Sequence, residues 1–149
     1  MNDNQKMSEI SESRLRDVRQ PLLRLHKTLL DCEQEAYERA HDRIENSYEL
    51  LQLVMNDPWF AWLHRLSGLV VQIDEMLDAK EPLLEPAIEA VINEARNLLQ
   101  PSESGDEFQQ KYFRTLQQCP DAVIAHAEAV KIIGRRRVED ENKSPQPSV

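Results

Sequence analysis

The sequence predicts an all-α fold, an up-and-down helical bundle of about six helices around a four-helix core. Three observations predict it. Apolar residues recur at intervals of three and four along most of the chain, and no stretch alternates with period two for long enough to form a strand. Glycine is scarce, at 3 residues, so the positive-φ turns of an all-β fold are missing. Asp-Pro, Glu-Pro and Cys-Pro pairs stand where successive apolar stripes begin, which is where helices start. At 149 residues with 40% hydrophobic content, the chain is long enough for one domain with a core.

Residues 1–11 (MNDNQKMSEIS) are polar and expected to be flexible; residues 12–134 form the single bundle domain; residues 135–149 are a charged, then Pro- and Ser-rich tail expected to be disordered. The first helical stripe is Leu15, Val18, Leu22, Leu25, Leu29, Cys32 and Ala36, drifting through Ala40 to Ile44. Pro21 interrupts it, and a kink or break is expected there, with Pro21 opening the second piece. Asn46 with Glu49 three residues on reads as a capped start for a short helix through Leu50, Leu51, Leu53 and Val54. Asp57-Pro58 is the next start, for a helix running to about Asp78. Glu81-Pro82 and Glu85-Pro86 open a helix with Leu84, Ile88, Val91, Ala95 and Leu98 on one stripe. A loop at Pro101–Gly105 precedes a helix through Phe108, Tyr112 and Leu116. Cys119-Pro120-Asp121 starts the last helix, and Gly134 stands where a left-handed C-cap would end it.

Charge excludes several functions. Acidic residues number 27 against 18 basic ones, a net charge of −9, so no nucleic-acid partner is expected. Arg135-Arg136-Arg137 is the one basic run; acids follow it at once, and it is assigned to the dipole at a helix C-terminus. No glycine-rich phosphate loop is present. No apolar run approaches the ~18 residues of a membrane span, and the polar N-terminal stretch lacks the apolar segment of a signal peptide, so a cytoplasmic protein with no membrane partner is expected. Two cysteines, Cys32 and Cys119, are too few for a disulfide framework.

The stretch NDPWFAWL concentrates three rings in a chain of 5% aromatic content. On a helix over 57–78, Trp59, Trp62, Leu66, Leu69, Ile73 and Met76 share a stripe, flanked by Leu63, Val70 and Leu77. That places both tryptophans with the core. Phe60 falls about 100° away, beside His64, Ser67 and Val71. Trp59, Phe60, Trp62, His64 and Gly68 are therefore the candidate interaction or pocket residues, centred on Phe60. Small residues at Ala61 and Gly68 suggest that another helix approaches closely on that side.

The run LHKTLLDCEQEAYERAHDRI, followed by ELLQLVMNDPWFAWLHRLSGLVVQIDEMLD, resembles a group of small bacterial all-helical proteins of unknown function that carry an Asp-Pro-Trp-Phe-Ala-Trp-Leu motif. The likeness spans roughly residues 22 to 78. It implies a bacterial, cytosolic, helical protein and supplies no activity, cofactor or site residue.

Other chemistry is thin. Glu38 and His41 form one Glu-x-x-His, which on a helix face could hold a metal as in carboxylate-bridged bundles. Such sites need a second motif and further carboxylates, and Glu33 or Glu128 are the available additions. His26 and His126 read as hydrogen-bonded boundary residues. Cys119 at a helix start is the one place where a reactive thiolate makes sense, although no CxxC or base accompanies it. Ser67, Ser102 and Ser104 lack a nucleophile-elbow setting. The leading expectation is a non-enzymatic interaction protein without a cofactor, a homodimer or an adaptor for another protein. The alternative is a metal- or small-ligand-binding bundle, possibly enzymatic, using Glu38 and His41.

Overall fold

The computed structural model describes residues 3–134; the expected disordered tail and its arginine run lie outside the described residues. The fold is all-α. Six helices pack against one another: α1 (Asp3–Ala40), α2 (Ser47–Asn56), α3 (His64–Asp78), α4 (Glu85–Leu98), α5 (Glu107–Gln118) and α6 (Pro120–Ile133), with a 3-10 turn at Ala61–Leu63 before α3. No strand occurs among the described residues.

α1 is the element that the others share. Its seam of Leu15, Val18, Leu22, Leu25, Leu29 and Cys32 is buried along its length, and α3, α4, α5 and α6 all lie against it. Ion pairs flank the seam: Arg14 reaches Glu85 at 3.0 Å and Glu89 at 2.6 Å on α4, Arg19 pairs with Asp74 on α3, and Arg24 meets Glu128 on α6 at 2.7 Å.

One expectation for α1 is corrected. The helix, which begins at Asp3, continues through Pro21 without interruption. Proline removes one backbone hydrogen bond and crowds the preceding turn at a cost of about 3 kcal/mol in a helix interior. Leu15, Val18, Leu22 and Leu25 are buried on both sides of it, and at roughly 1.5–3 kcal/mol for each buried leucine-sized side chain their packing outweighs that cost.

The caps of α2 and α5 are local chemistry. Asn46 accepts the Glu49 N–H at 2.8 Å, and the Glu49 carboxylate accepts the Glu45 N–H at 3.1 Å. Asp106 accepts the Gln109 N–H at 2.9 Å, while Gln109 Oε1 accepts the Asp106 N–H at 3.0 Å, a reciprocal capping box that holds the Asp106 carboxyl below the usual range. In α4, Ile88, Val91, Ala95 and Leu98 are buried as the stripe requires, whereas Leu84 is the N-cap, extended rather than helical, and exposed. Gly134 does follow α6, but it is right-handed, with φ −71°, so the expected left-handed cap does not form.

Candidate functional site

Asp57-Pro58 does not open an α-helix. Asp57 Oδ1 accepts the Trp59 N–H at 2.8 Å, and Phe60, Ala61 and Leu63 donate to Asp57, Pro58 and Phe60 carbonyls, an i→i+3 pattern. α3 proper begins at His64. This tight entry corrects the reading of Phe60: placed on a regular helix it would face His64 and Val71, but the turn aims it inward, and its exposure is 0%. Phe60 is core, not the centre of a pocket or partner surface. Trp62 is buried too, with its Nε1–H unpaired among the described residues. Trp59 is half-buried, donating from Nε1 to the Glu33 carbonyl at 3.3 Å. His64 is exposed and donates from Nε2 to the Val54 carbonyl at 2.7 Å, pinning α2 to the start of α3. Gly68 is exposed, and a Cβ there would meet nothing within 4 Å, so no helix among the described residues approaches closely on that side.

The rings sort into two clusters. Tyr37 stacks on His41 at 4.4 Å and meets Trp59 at 5.7 Å and Phe60 at 5.6 Å. Trp62 meets Phe108 at 5.5 Å, Phe108 meets Tyr112 at 5.8 Å, and Tyr112 meets His126 edge-on at 5.4 Å. The Arg65 guanidinium covers Phe108 at 5.5 Å. His41 thus stands one residue past the end of α1 as a stacking partner. Glu38 accepts from Gln34 Nε2 at 3.2 Å, and no group of three or more metal-ligating side chains gathers among the described residues. Burial lowers the pKa of His26 and His126 and raises that of the Tyr112 hydroxyl.

What composition and periodicity missed lies between α1 and the α5–α6 junction. Cys32 on α1 and Cys119, the cap of α6, are joined by a disulfide, with Cα atoms 6.3 Å apart. The two cysteines were set aside as too few for a framework; a single bridge across 87 residues is what they make. The seam position of Cys32 was legible, but its partner was not. The bond lines a surface cavity of about 240 Å³ together with Glu33, Arg39, Thr115 and Asp121. A second cavity of about 430 Å³ shares Glu33, Ala36 and Gln118 with it and adds Trp59, Lys111 and Arg114. Glu33 is 7% exposed. Its one side-chain hydrogen-bond partner among the described residues is Thr115, whose single hydroxyl proton has the Lys111 carbonyl at 2.9 Å and Glu33 Oε1 at 3.3 Å within reach.

Two helices leave apolar surface uncovered. On α2 none of the ten residues is buried; Leu53 and Val54 rest partly on the core, while Tyr48, Leu51 and Met55 point outward at 72%, 53% and 60% exposure. On α6, Val123, Ile124, Val130 and Ile132 are exposed opposite the buried Ala122, Ala129 and Ile133. No helix among the described residues is long and apolar enough to cross a membrane.

Among the described residues, fold and surface together define an all-α bundle with one interhelical disulfide and exposed apolar faces on α2 and α6. Comparison with protein-family models found no match. Neither the curated proteins nor the solved structures gave a match.

Proposed function

We propose that this chain is a non-enzymatic helical interaction protein that self-associates through α2. The outward stripe of Tyr48, Leu51 and Met55 carries the proposal. These residues stand at i, i+3 and i+7, the spacing with which one helix packs along another. A helix on a bundle surface normally shows an apolar arc about as wide as the face it buries. On α2 the apolar arc takes in Leu53 and Val54 toward the core and the exposed stripe as well, so it is wider than the face the fold uses.

A second copy is the occupant that fits. Copies with a net charge of −9 repel each other, so they associate best where acids are few. Over its ten residues α2 carries one acid, Glu49, and that carboxylate is engaged by the Glu45 N–H. Two α2 helices related by a two-fold axis would bury the same stripe on both sides. The test is solution mass by light scattering across a concentration series, for the wild type and for Leu51→Glu. A concentration-dependent dimer that Leu51→Glu abolishes, with helicity unchanged, is expected. A wild type that stays monomeric, or a dimer indifferent to Leu51→Glu, would overturn the assignment.

The likeness of residues 22–78 to small bacterial helical proteins, and a cytoplasmic location, belong to the same proposal. The disulfide bears on the location. In a thiol-reducing compartment such bonds are rare and mostly transient, so trapping the state of Cys32 and Cys119 in intact cells tests it.

A further inference from the structure

We propose that the Cys32–Cys119 disulfide is a thiol–disulfide exchange site, opened by a low-molecular-weight thiol that enters the cavity between α1 and the α5–α6 junction. Three features of the cavity support this, and none depends on association through α2. The two sulfurs are unequal: Cys119 is partly exposed at the cavity, whereas Cys32 is buried in the α1 seam. An incoming thiolate therefore reaches Cys119. Cys119 also caps the N-terminus of the 14-residue α6, where the helix dipole stabilises a thiolate on it once the bridge is open, so that in the reduced chain Cys119 is the sulfur that attacks an oxidised small thiol. The third feature is Glu33. It is a buried carboxylate lining the same cavity, and its Thr115 partner has another acceptor closer at hand. A carboxylate with spare acceptor capacity beside a disulfide can take up and return a proton.

The exchange balances as follows. Glu33 accepts the proton of the entering thiol. The resulting thiolate attacks Cys119 Sγ, and a new sulfur–sulfur bond forms to it. The Cys32–Cys119 bond breaks, its electron pair moves to Cys32 Sγ, and Glu33 delivers the proton there. The entering sulfur is oxidised to the disulfide level and Cys32 is reduced to a thiol. In the reverse direction Cys32 attacks the mixed disulfide, expels the small thiol and re-forms the bridge, which makes Cys119 the exchanging sulfur and Cys32 the resolving one.

The probe is glutathione, applied to the full chain at neutral pH without denaturant, with acid quenching and mass mapping. The expected result is an adduct on Cys119 with a free thiol at Cys32, while the circular dichroism stays helical. In Cys32→Ser, which lacks the resolving thiol, folded protein should take up oxidised glutathione at Cys119; in Cys119→Ser, Cys32 should stay unreacted until the chain unfolds. Glu33→Gln should slow opening of the folded bridge by at least about tenfold and leave opening in denaturant at the wild-type rate. Opening that requires unfolding, an adduct on Cys32, or a Glu33→Gln variant as fast as the wild type would each overturn the proposal.

Discussion

The hydroxyl of Tyr112 on α5 lies 2.6 Å from Nδ1 of His126 on α6, and Tyr112 is fully buried. Burial favours the neutral form of both groups, raising the pKa of the phenol and lowering that of the imidazole, and the imidazole tautomer sets which of the two donates. The pair ties the second ring cluster to α6, and it gives the fold a dependence on pH.

The sign follows from the direction of the shift. The folded-state pKa of His126 lies below the ordinary imidazole value, as does that of His26, so the unfolded chain binds protons first as pH falls. Stability is then full above about pH 6.5 and declines as pH falls from there toward the folded-state values. The thermal midpoint should drop between roughly pH 7 and pH 5, and His126→Asn should flatten part of that slope. A midpoint that rises on acidification in this range contradicts the assignment.

Phe60 and Trp62 should behave alike. Both are buried, Phe60 against Tyr37 and Trp62 against Phe108, so each substitution by Ala should cost about 3–5 kcal/mol. Trp59, half-buried and anchored through one hydrogen bond to the Glu33 carbonyl, should lose less. Urea titration of the three variants decides it, and a Phe60→Ala protein as stable as the wild type would return that ring to the surface.

Gly68 lies in the interior of α3, and a Cβ there would meet nothing within 4 Å. Gly68→Ala should therefore stabilise the protein, by up to about 1 kcal/mol, through helix propensity alone. A lower midpoint for this variant would show that something packs there after all.

The disulfide closes a loop of 87 residues between α1 and α6. On the chain-entropy model a bridge of that span contributes about 4–5 kcal/mol. Reduction or Cys119→Ser should lower the urea midpoint accordingly, with a steeper slope per molar denaturant, because the unfolded chain freed of the bridge exposes more surface. An unchanged midpoint would mean that the bridge does not constrain the unfolded chain.

The Asp106 cap is the smallest of these effects. Asp106→Ala removes the acceptor for the Gln109 N–H and the carboxylate facing Arg65 at 3.1 Å, and should cost about 1 kcal/mol. Thermal melts of this variant beside the wild type are sufficient, and no measurable loss would mean that solvent replaces the cap at no cost.

The sequence by itself determined the all-α class, the seam of α1 from Leu15 to Cys32, the Asn46 cap, and the starts of α4 and α6 at their prolines. Each of these is set by residues within one or two turns of one another, through helical periodicity, a side-chain acceptor or a missing amide proton. The tertiary structure decided the rest. Pro21 stays inside α1 because leucines on both sides of it are buried against other helices. Phe60 turns inward because the Asp57 turn sets the rings by 3-10 rather than α geometry before α3 begins. Glu33 and Thr115 meet across 82 residues, and Cys32 and Cys119 across 87. No local pattern encodes such pairs; they exist because the packing of α5 and α6 on α1 brings their positions together, which is also why the cavity that they line was not legible beforehand.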